Sequence, residues 1–164
     1  MLRILFSLTL FCVLFFISGC GNNSRPKDLP KLYPCIITIT QDGKPLEGAS
    51  VELAATEETD QNNTKYKSLA ITDVEGKVAV STYGYKGVPI GKYKVVVTKN
   101  IDDDPIYKTN PSTGREEIIS YKTYKTVEPQ FSDVKTTPHK IEITGKGKKV
   151  EITFDVGKAI KVKF

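Results

Sequence analysis

Apolar and polar residues alternate along most of this chain, and nowhere more plainly than from Cys35 to Ala55. Cys35, Ile37 and Ile39 share one parity, and Ala49, Val51, Leu53 and Ala55 share another, with Thr38, Thr40, Ser50 and Glu52 between them. A period of two means one buried and one wet face, so two strands are predicted here. They are joined through Gln41-Asp42-Gly43-Lys44-Pro45-Leu46-Glu47-Gly48, in which Asp-Gly supplies the positive φ of a tight reversal. Leu69 and Ile71 begin a third strand, which Asp73-Val74-Glu75-Gly76 turns back, as a type I turn, into a fourth strand through Val78 and Val80.

Further on, Tyr83-Gly84-Tyr85-Lys86-Gly87 is a glycine-rich bend. Val88-Pro89-Ile90-Gly91 is a second type I pattern, launching the strongest strand, where Tyr93, Val95 and Val97 alternate with lysines. Ile141 and Ile143 form one late strand, Val150, Ile152, Phe154 and Val156 another, and Gly145-Lys146-Gly147-Lys148 is expected to join them as a hairpin. Ile160, Val162 and Phe164 alternate again as a closing edge strand, with Lys158, Lys161 and Lys163 guarding that edge. Many short strands with turns between them, and little helical periodicity, predict an all-β fold, a two-layer antiparallel sandwich.

Residues 100–138 interrupt the pattern. A structureless stretch of that length does not suit a compact domain, so it should hold structure of its own. Ser112-Thr113-Gly114-Arg115-Glu116-Glu117 can cap a short helix through Ile118, Ile119 and Tyr121 that Pro129 ends. A β-excursion fits as well, because Ile118, Ile119, Thr123 and Val127 favour strands.

The N-terminus carries a different signal. Arg3 precedes an apolar run from Ile4 to Phe16, too short for a bilayer that needs about 20 residues but suited to a cleaved signal peptide. Ile17-Ser18-Gly19-Cys20 resembles the bacterial lipobox. That resemblance implies a signal peptide over 1–19 and a lipidated N-terminus at Cys20. Residues 20–34, polar and proline-bearing, then form a tether, and 35–164 form the domain. Gly21 is not the aspartate that retains many such proteins in the inner membrane, so attachment to the outer membrane of a bacterial envelope is expected. Cys12 leaves with the signal peptide and Cys20 carries lipid, which leaves Cys35 without an intramolecular partner, as a buried small apolar residue.

Composition narrows the class. The net charge of +5 is spread over many lysines and offset by Glu57-Glu58 and Asp102-Asp103-Asp104. It is a modestly basic surface, not a nucleic-acid stripe. Asn62-Asn63-Thr64 has the form of a glycosylation sequon, without meaning in a cell that uses a lipobox.

Three segments carry a further resemblance: Asp42 to Val51, Thr72 to Val78, and Gly87 to Val95. They are similar to the successive motifs of carboxypeptidase regulatory-like, or transthyretin-like, domains of bacterial lipoproteins. Phe131 to Pro138 is similar to the segment leading into the last hairpin. The resemblance spans Leu32 to about Val156 and implies a prealbumin-like Greek-key sandwich of about seven strands. Its motifs are turns and strand starts, so they specify a scaffold and not an active site.

Candidate chemistry is sparse. One histidine, His139, cannot supply the histidine pairs of hydroxyisourate hydrolases or intradiol dioxygenases that use similar scaffolds. It is expected as a partly buried structural imidazole in phase with Ile141 and Ile143. Asp102-Asp103-Asp104 lacks the spaced oxygens of a calcium loop and is expected to be a solvated, self-repelling loop. No cofactor, metal or catalytic residue is expected. Tyr83 and Tyr85 in the bend, and Tyr107, Tyr121 and Tyr124 in the insertion, are the candidate recognition residues, because exposed tyrosine packs on protein or sugar at low entropic cost. The expected function is a non-catalytic, lipid-anchored envelope module that binds an envelope protein or glycan, or acts as a spacer. The alternatives are an accessory subunit of an outer-membrane transport or export system and, further behind, a hydrolase with an unfamiliar site.

Overall fold

The computed structural model describes residues 25–59, 61, 65–146 and 149–163. The signal segment, Cys20, the Asn62-Asn63-Thr64 triplet, Gly147, Lys148 and Phe164 lie outside them. In chain order the strands are β1 (Cys35–Gln41), β2 (Lys44–Pro45), β3 (Ser50–Ala55), β4 (Ser68–Ile71), β5 (Lys77–Ala79), β6 (Ser81–Thr82) and β7 (Tyr85–Lys86). Then follow β8 (Gly91–Thr98), β9 (Asn100–Thr109), β10 (Glu116–Lys125), the short helix α1 (Pro129–Ser132), β11 (Lys140–Ile143), β12 (Val150–Asp155) and β13 (Val162–Lys163).

Two sheets make the sandwich. In one, β1 lies between β12 on one side and β2 and β5 on the other. In the second the order is β11-β8-β3-β4-β6-β7. Seven strands carry the two layers (β1, β3, β4, β5, β8, β11 and β12), with β2, β6 and β7 as short additions. The alternation does what it promised where it is strongest. Cys35, Ile37 and Ile39 of β1 and Tyr93, Val95 and Val97 of β8 turn inward to one cluster with Val51, Leu53, Ile143 and Val156. Each such side chain, fully buried, contributes about 1.5–3 kcal/mol.

Several expectations about connection are corrected. β1 and β3 do not pair; the Asp42-Gly43 turn, with both residues at positive φ, serves β2 instead, with Gln41 opposite Lys44. The chain then crosses to the other layer. The Asp73–Gly76 turn forms as predicted, Gly76 N donating to Asp73 O at 2.9 Å, yet it also crosses between layers, and β5 pairs with β1, not with β4. Likewise β11 joins β8, while β12 runs parallel to β1 from Cys35–Val150 to Thr40–Asp155. The late pair is thus no hairpin, and the sandwich is not wholly antiparallel. The reason is common to all three: a strand with one apolar face buries it best against a strand of the opposite layer.

β4 corrects the parity. Leu69 and Ile71 face out, 45% and 70% exposed, while Ser68 and Thr72 face in. Thr72 Oγ1 donates to Leu46 O at 2.5 Å and accepts from Ala49 N at 2.9 Å. Ser68 and Thr82 share a hydroxyl bond of 2.7 Å, and Thr82 also donates to Gly87 O at 2.8 Å. Polar atoms inside are therefore satisfied, and the apolar ones are left outside.

The insertion is the β-excursion. β9 and β10 form a long ribbon, with Glu116 opposite Thr109 and Lys125 opposite Asn100. No helix caps at Ser112, and Pro129 begins α1 rather than ending a helix, a position where its missing N–H costs nothing. The three aspartates are not a loop but part of β9: Asp103 pairs with Lys161 at 2.7 Å, and Thr123 donates to Asp102 at 2.8 Å. The closing strand exists, but β13 extends the ribbon, with Lys125 opposite Val162, and does not edge the sandwich. The tether is corrected too. From residue 25 the chain already lies on the domain: Leu29 is buried and Tyr33 bridges to Val88.

Candidate functional site

The ribbon leaves the sandwich directly after β8, and Thr126 N closes its base by donating to Lys99 O at 3.0 Å. Gln41 ties that base down, its side-chain amide reaching Thr126 O at 2.8 Å. The C-terminal segment is strapped across the same place: Ala159 N donates to Asp42 Oδ2 at 3.0 Å and Ile160 N to Thr126 O at 3.1 Å. Among the described residues β13 then covers β10 only at Tyr124 and Lys125. Beyond that point, among the described residues, the two strands run on without a third. Ten residues per strand give a ribbon of about 33 Å.

Cross-strand partners share a face. Tyr107 is opposite Ile118 and Tyr121 is opposite Pro105. Pro105 and Tyr107 already share a face, and a bulge at Ile119 between the two pairs brings Ile118 and Tyr121, three residues apart, to that same face. Tyr107, Ile118 and Tyr121 therefore line one side of the ribbon, each about half exposed. Ile119, at the bulge, is exposed as well.

Tyr124 belongs to the base instead. Its hydroxyl donates to Asp104 Oδ2 at 2.5 Å, and Lys161 Nζ sits 4.5 Å from its ring centroid. The Asp104 carboxylate holds the phenol above its ordinary pKa, and the Lys161 ammonium beside Asp103 holds that carboxyl below the usual range. Tyr124 is a structural residue, not a recognition one.

Tyr83 and Tyr85 lie elsewhere, on the far strands of the six-stranded sheet. Tyr85 is half-buried opposite Thr82. Tyr83, 62% exposed, stands in the β6–β7 turn with its ring centroid 5.0 Å from that of Tyr66. Tyr66 donates to Asp28 Oδ1 at 2.6 Å, and Lys65 pairs with the same carboxylate. The Lys65 and Tyr66 bonds pull the Asp28 carboxyl down to about 2. Lys65, Tyr66 and Tyr83 line a shallow hollow with Lys67, Leu69, Ser81 and Gly84. The five candidate tyrosines thus divide among two surfaces and one structural base. Tyr66 and Ile118 were missed by sequence reasoning, although strand-favouring Ile118-Ile119 and the lysine-flanked Tyr66 were visible signals.

Residues capable of chemistry are engaged otherwise. His139 stacks at 5.1 Å on Phe131 and lies 4.6 Å from Phe154, and its Nε2 is 2.9 Å from Asp155 O. It is the half-buried structural imidazole expected. Burial pushes the Cys35 thiol up to about 11, so it stays protonated and unreactive. Among the described residues no group of three or more His, Cys, Asp and Glu side chains is placed to hold a metal ion, and no helix is long and apolar enough to cross a membrane.

No protein-family model and no curated protein matches the chain. Among solved structures, a 9R-lipoxygenase from Cyanothece PCC8801 aligns at 15% identity and a TM-score of 0.30. The alignment covers 93% of this chain and 20% of that one. A likeness of that size carries no argument about fold or activity.

Proposed function

We propose that this chain is a non-catalytic envelope module, anchored by lipid at Cys20, that offers its β-ribbon to another protein of the cell envelope. The observation that carries this reading is the face formed by Tyr107, Ile118 and Tyr121. Apolar side chains there add nothing to the sandwich core, and a two-stranded ribbon is marginal in water without something to pack against. Aliphatic Ile118 beside two tyrosines suits a protein surface better than a sugar, which asks for flat rings bordered by hydrogen-bonding groups. The engaged states of His139 and Cys35 are in keeping with binding rather than catalysis.

The test is mild crosslinking in the native cells, followed by recovery of the protein and mass spectrometry of what is attached. One envelope protein should be recovered repeatedly and lost from a Tyr107→Ala/Tyr121→Ala variant. Recovery of the chain alone sinks the reading in favour of a spacer, and recovery with peptidoglycan fragments sinks it in favour of glycan binding. In fractionated cells a Cys20→Ala variant should leave the membrane pellet; if it stays, the lipid anchor is wrong.

A further inference from the structure

The other exposed apolar surface lies away from the ribbon, close to where the described chain begins. It is formed by Tyr66, Leu69 and Tyr83 around their hollow, with Ile71 two residues along the same outward face of β4. This is the strand whose pattern is inverted, hydroxyls inward and aliphatics outward, and no packing among the described residues accounts for that. Lys65 and Lys67 line the hollow, paired with Asp28 and Glu52, and Lys86 lies on the strand that follows the Tyr83 turn. Lys27 and Lys31 stand on the N-terminal segment.

That segment is fixed to the same surface. Asp28 is bonded to Tyr66 and Lys65, Leu29 N donates to Pro26 O at 3.1 Å in a tight turn, and Arg25 donates to Pro30 O at 2.9 Å. Arg25 is five residues from Cys20. Even a fully extended chain of that length spans no more than about 18 Å. A lipid carried at Cys20 would therefore hold this end of the sandwich near the headgroups, whatever path the intervening residues take.

We propose that the surface around Tyr66, Leu69 and Tyr83 is the membrane-facing side of the domain, lying against a lipid surface that contains anionic headgroups. This rests on the reading of Cys20 as the lipidated residue. The chemistry fits the place: tyrosine rings sit at the boundary between acyl chains and water, with hydroxyls directed to the wet side. Lysines bury their stems and keep their ammonium groups among phosphates. An interfacial patch of this kind orients a protein that the acyl chains alone would merely tether. The ribbon, in a separate sheet, is then the surface left for other proteins.

The chain contains no tryptophan, so single reporters can be introduced. The full lipidated protein is purified as Tyr83→Trp, Leu69→Trp and Tyr121→Trp variants, its acylation at Cys20 checked by mass spectrometry. Each is reconstituted into vesicles of phosphatidylethanolamine with a minor share of phosphatidylglycerol, in which part of the lipid carries brominated acyl chains. The reporters at positions 83 and 69 should be quenched at least about twofold more than the one at 121. A Lys27→Glu/Lys31→Glu/Lys86→Glu variant should lose most of that difference while the protein stays on the vesicles. Equal quenching at all three positions, or stronger quenching at 121, overturns the inference with the lipid anchor intact. A protein that carries no lipid at Cys20 overturns the anchor itself, and this inference with it.

Discussion

The sandwich and the ribbon use the same kinds of residue to opposite ends. In β8, Tyr93, Val95 and Val97 are almost completely buried; in the ribbon, Tyr107, Ile118 and Tyr121 keep about half their surface in water. The sandwich has a second layer to receive its apolar face, and the distal ribbon has none. An aromatic residue in the first region is therefore a matter of stability. In the second it is available for recognition. Alternation alone does not distinguish the two, because it says that one face is apolar and is silent about what covers it.

The largest expected effect that sharpens this contrast is in the core. Ile37→Ala, at a residue with no exposed surface, should cost about 2–5 kcal/mol in urea unfolding, whereas Ile118→Ala should cost within about 0.5 kcal/mol. Similar losses at both sites would mean that the ribbon is part of the core after all.

Next come two glycines with nearly the same backbone. Gly76 and Gly114 have φ of 70° and 67°, but a Cβ at Gly76 would lie 2.4 Å from Ile39 O, and one at Gly114 would meet nothing within 4 Å. Both substitutions by alanine carry the strain of a positive φ, roughly 1 kcal/mol. Only Gly76→Ala also forces β1 away from the turn, so it should lower the melting temperature several-fold more than Gly114→Ala. Equal shifts would mean that the close approach of turn and strand is easily relaxed.

The smallest effect is one of pH. Asp155 accepts from Thr40 Oγ1 at 2.7 Å and from Gly157 N at 2.8 Å, and the Thr40 hydroxyl, foremost, holds its pKa below the ordinary 3.8. A depressed carboxylate stabilises the fold above the unfolded value and loses that contribution as pH falls through the folded one. Melting curves should thus weaken below about pH 4, and an Asp155→Asn variant should weaken less over the same range. Asp103, whose pKa is lowered chiefly by Lys161, acts in the same direction at the ribbon's base, so acid should also loosen the strap that β13 lays on β10.

Turns were the most legible features, since positive φ and proline are local demands. Asp42-Gly43, Asp73–Gly76 and Tyr83-Gly84 all reverse the chain where the residues indicated. Strand partners were not legible. The same local signals fit a pairing of β4 with β5 and the observed pairing of β5 with β1, because a turn fixes where a chain reverses and not which layer it enters. β4 misled for a different reason. Its apolar residues mark a face but not the side on which it lies, and buried hydroxyls at Ser68, Thr72 and Thr82 took the inside. Of the candidate site, Tyr107 and Tyr121 were named from composition. Their shared face, the partnership with Ile118, and the removal of Tyr124 to the base came from register and a bulge.

By itself the sequence determined the all-β class, the positions of most strands and turns, the buried inert Cys35 and the wedged His139. These are set by residue-scale preferences: the period of two, the φ that glycine permits, the cost of leaving an apolar side chain in water. Tertiary structure alone decided that neighbouring strands part into opposite layers, that β12 runs parallel to β1, that the tail straps the ribbon, and that residues 25–34 are bound to the domain. Those outcomes depend on contacts between residues as far apart as Thr40 and Asp155, and no local preference can state which distant segment will offer the better surface.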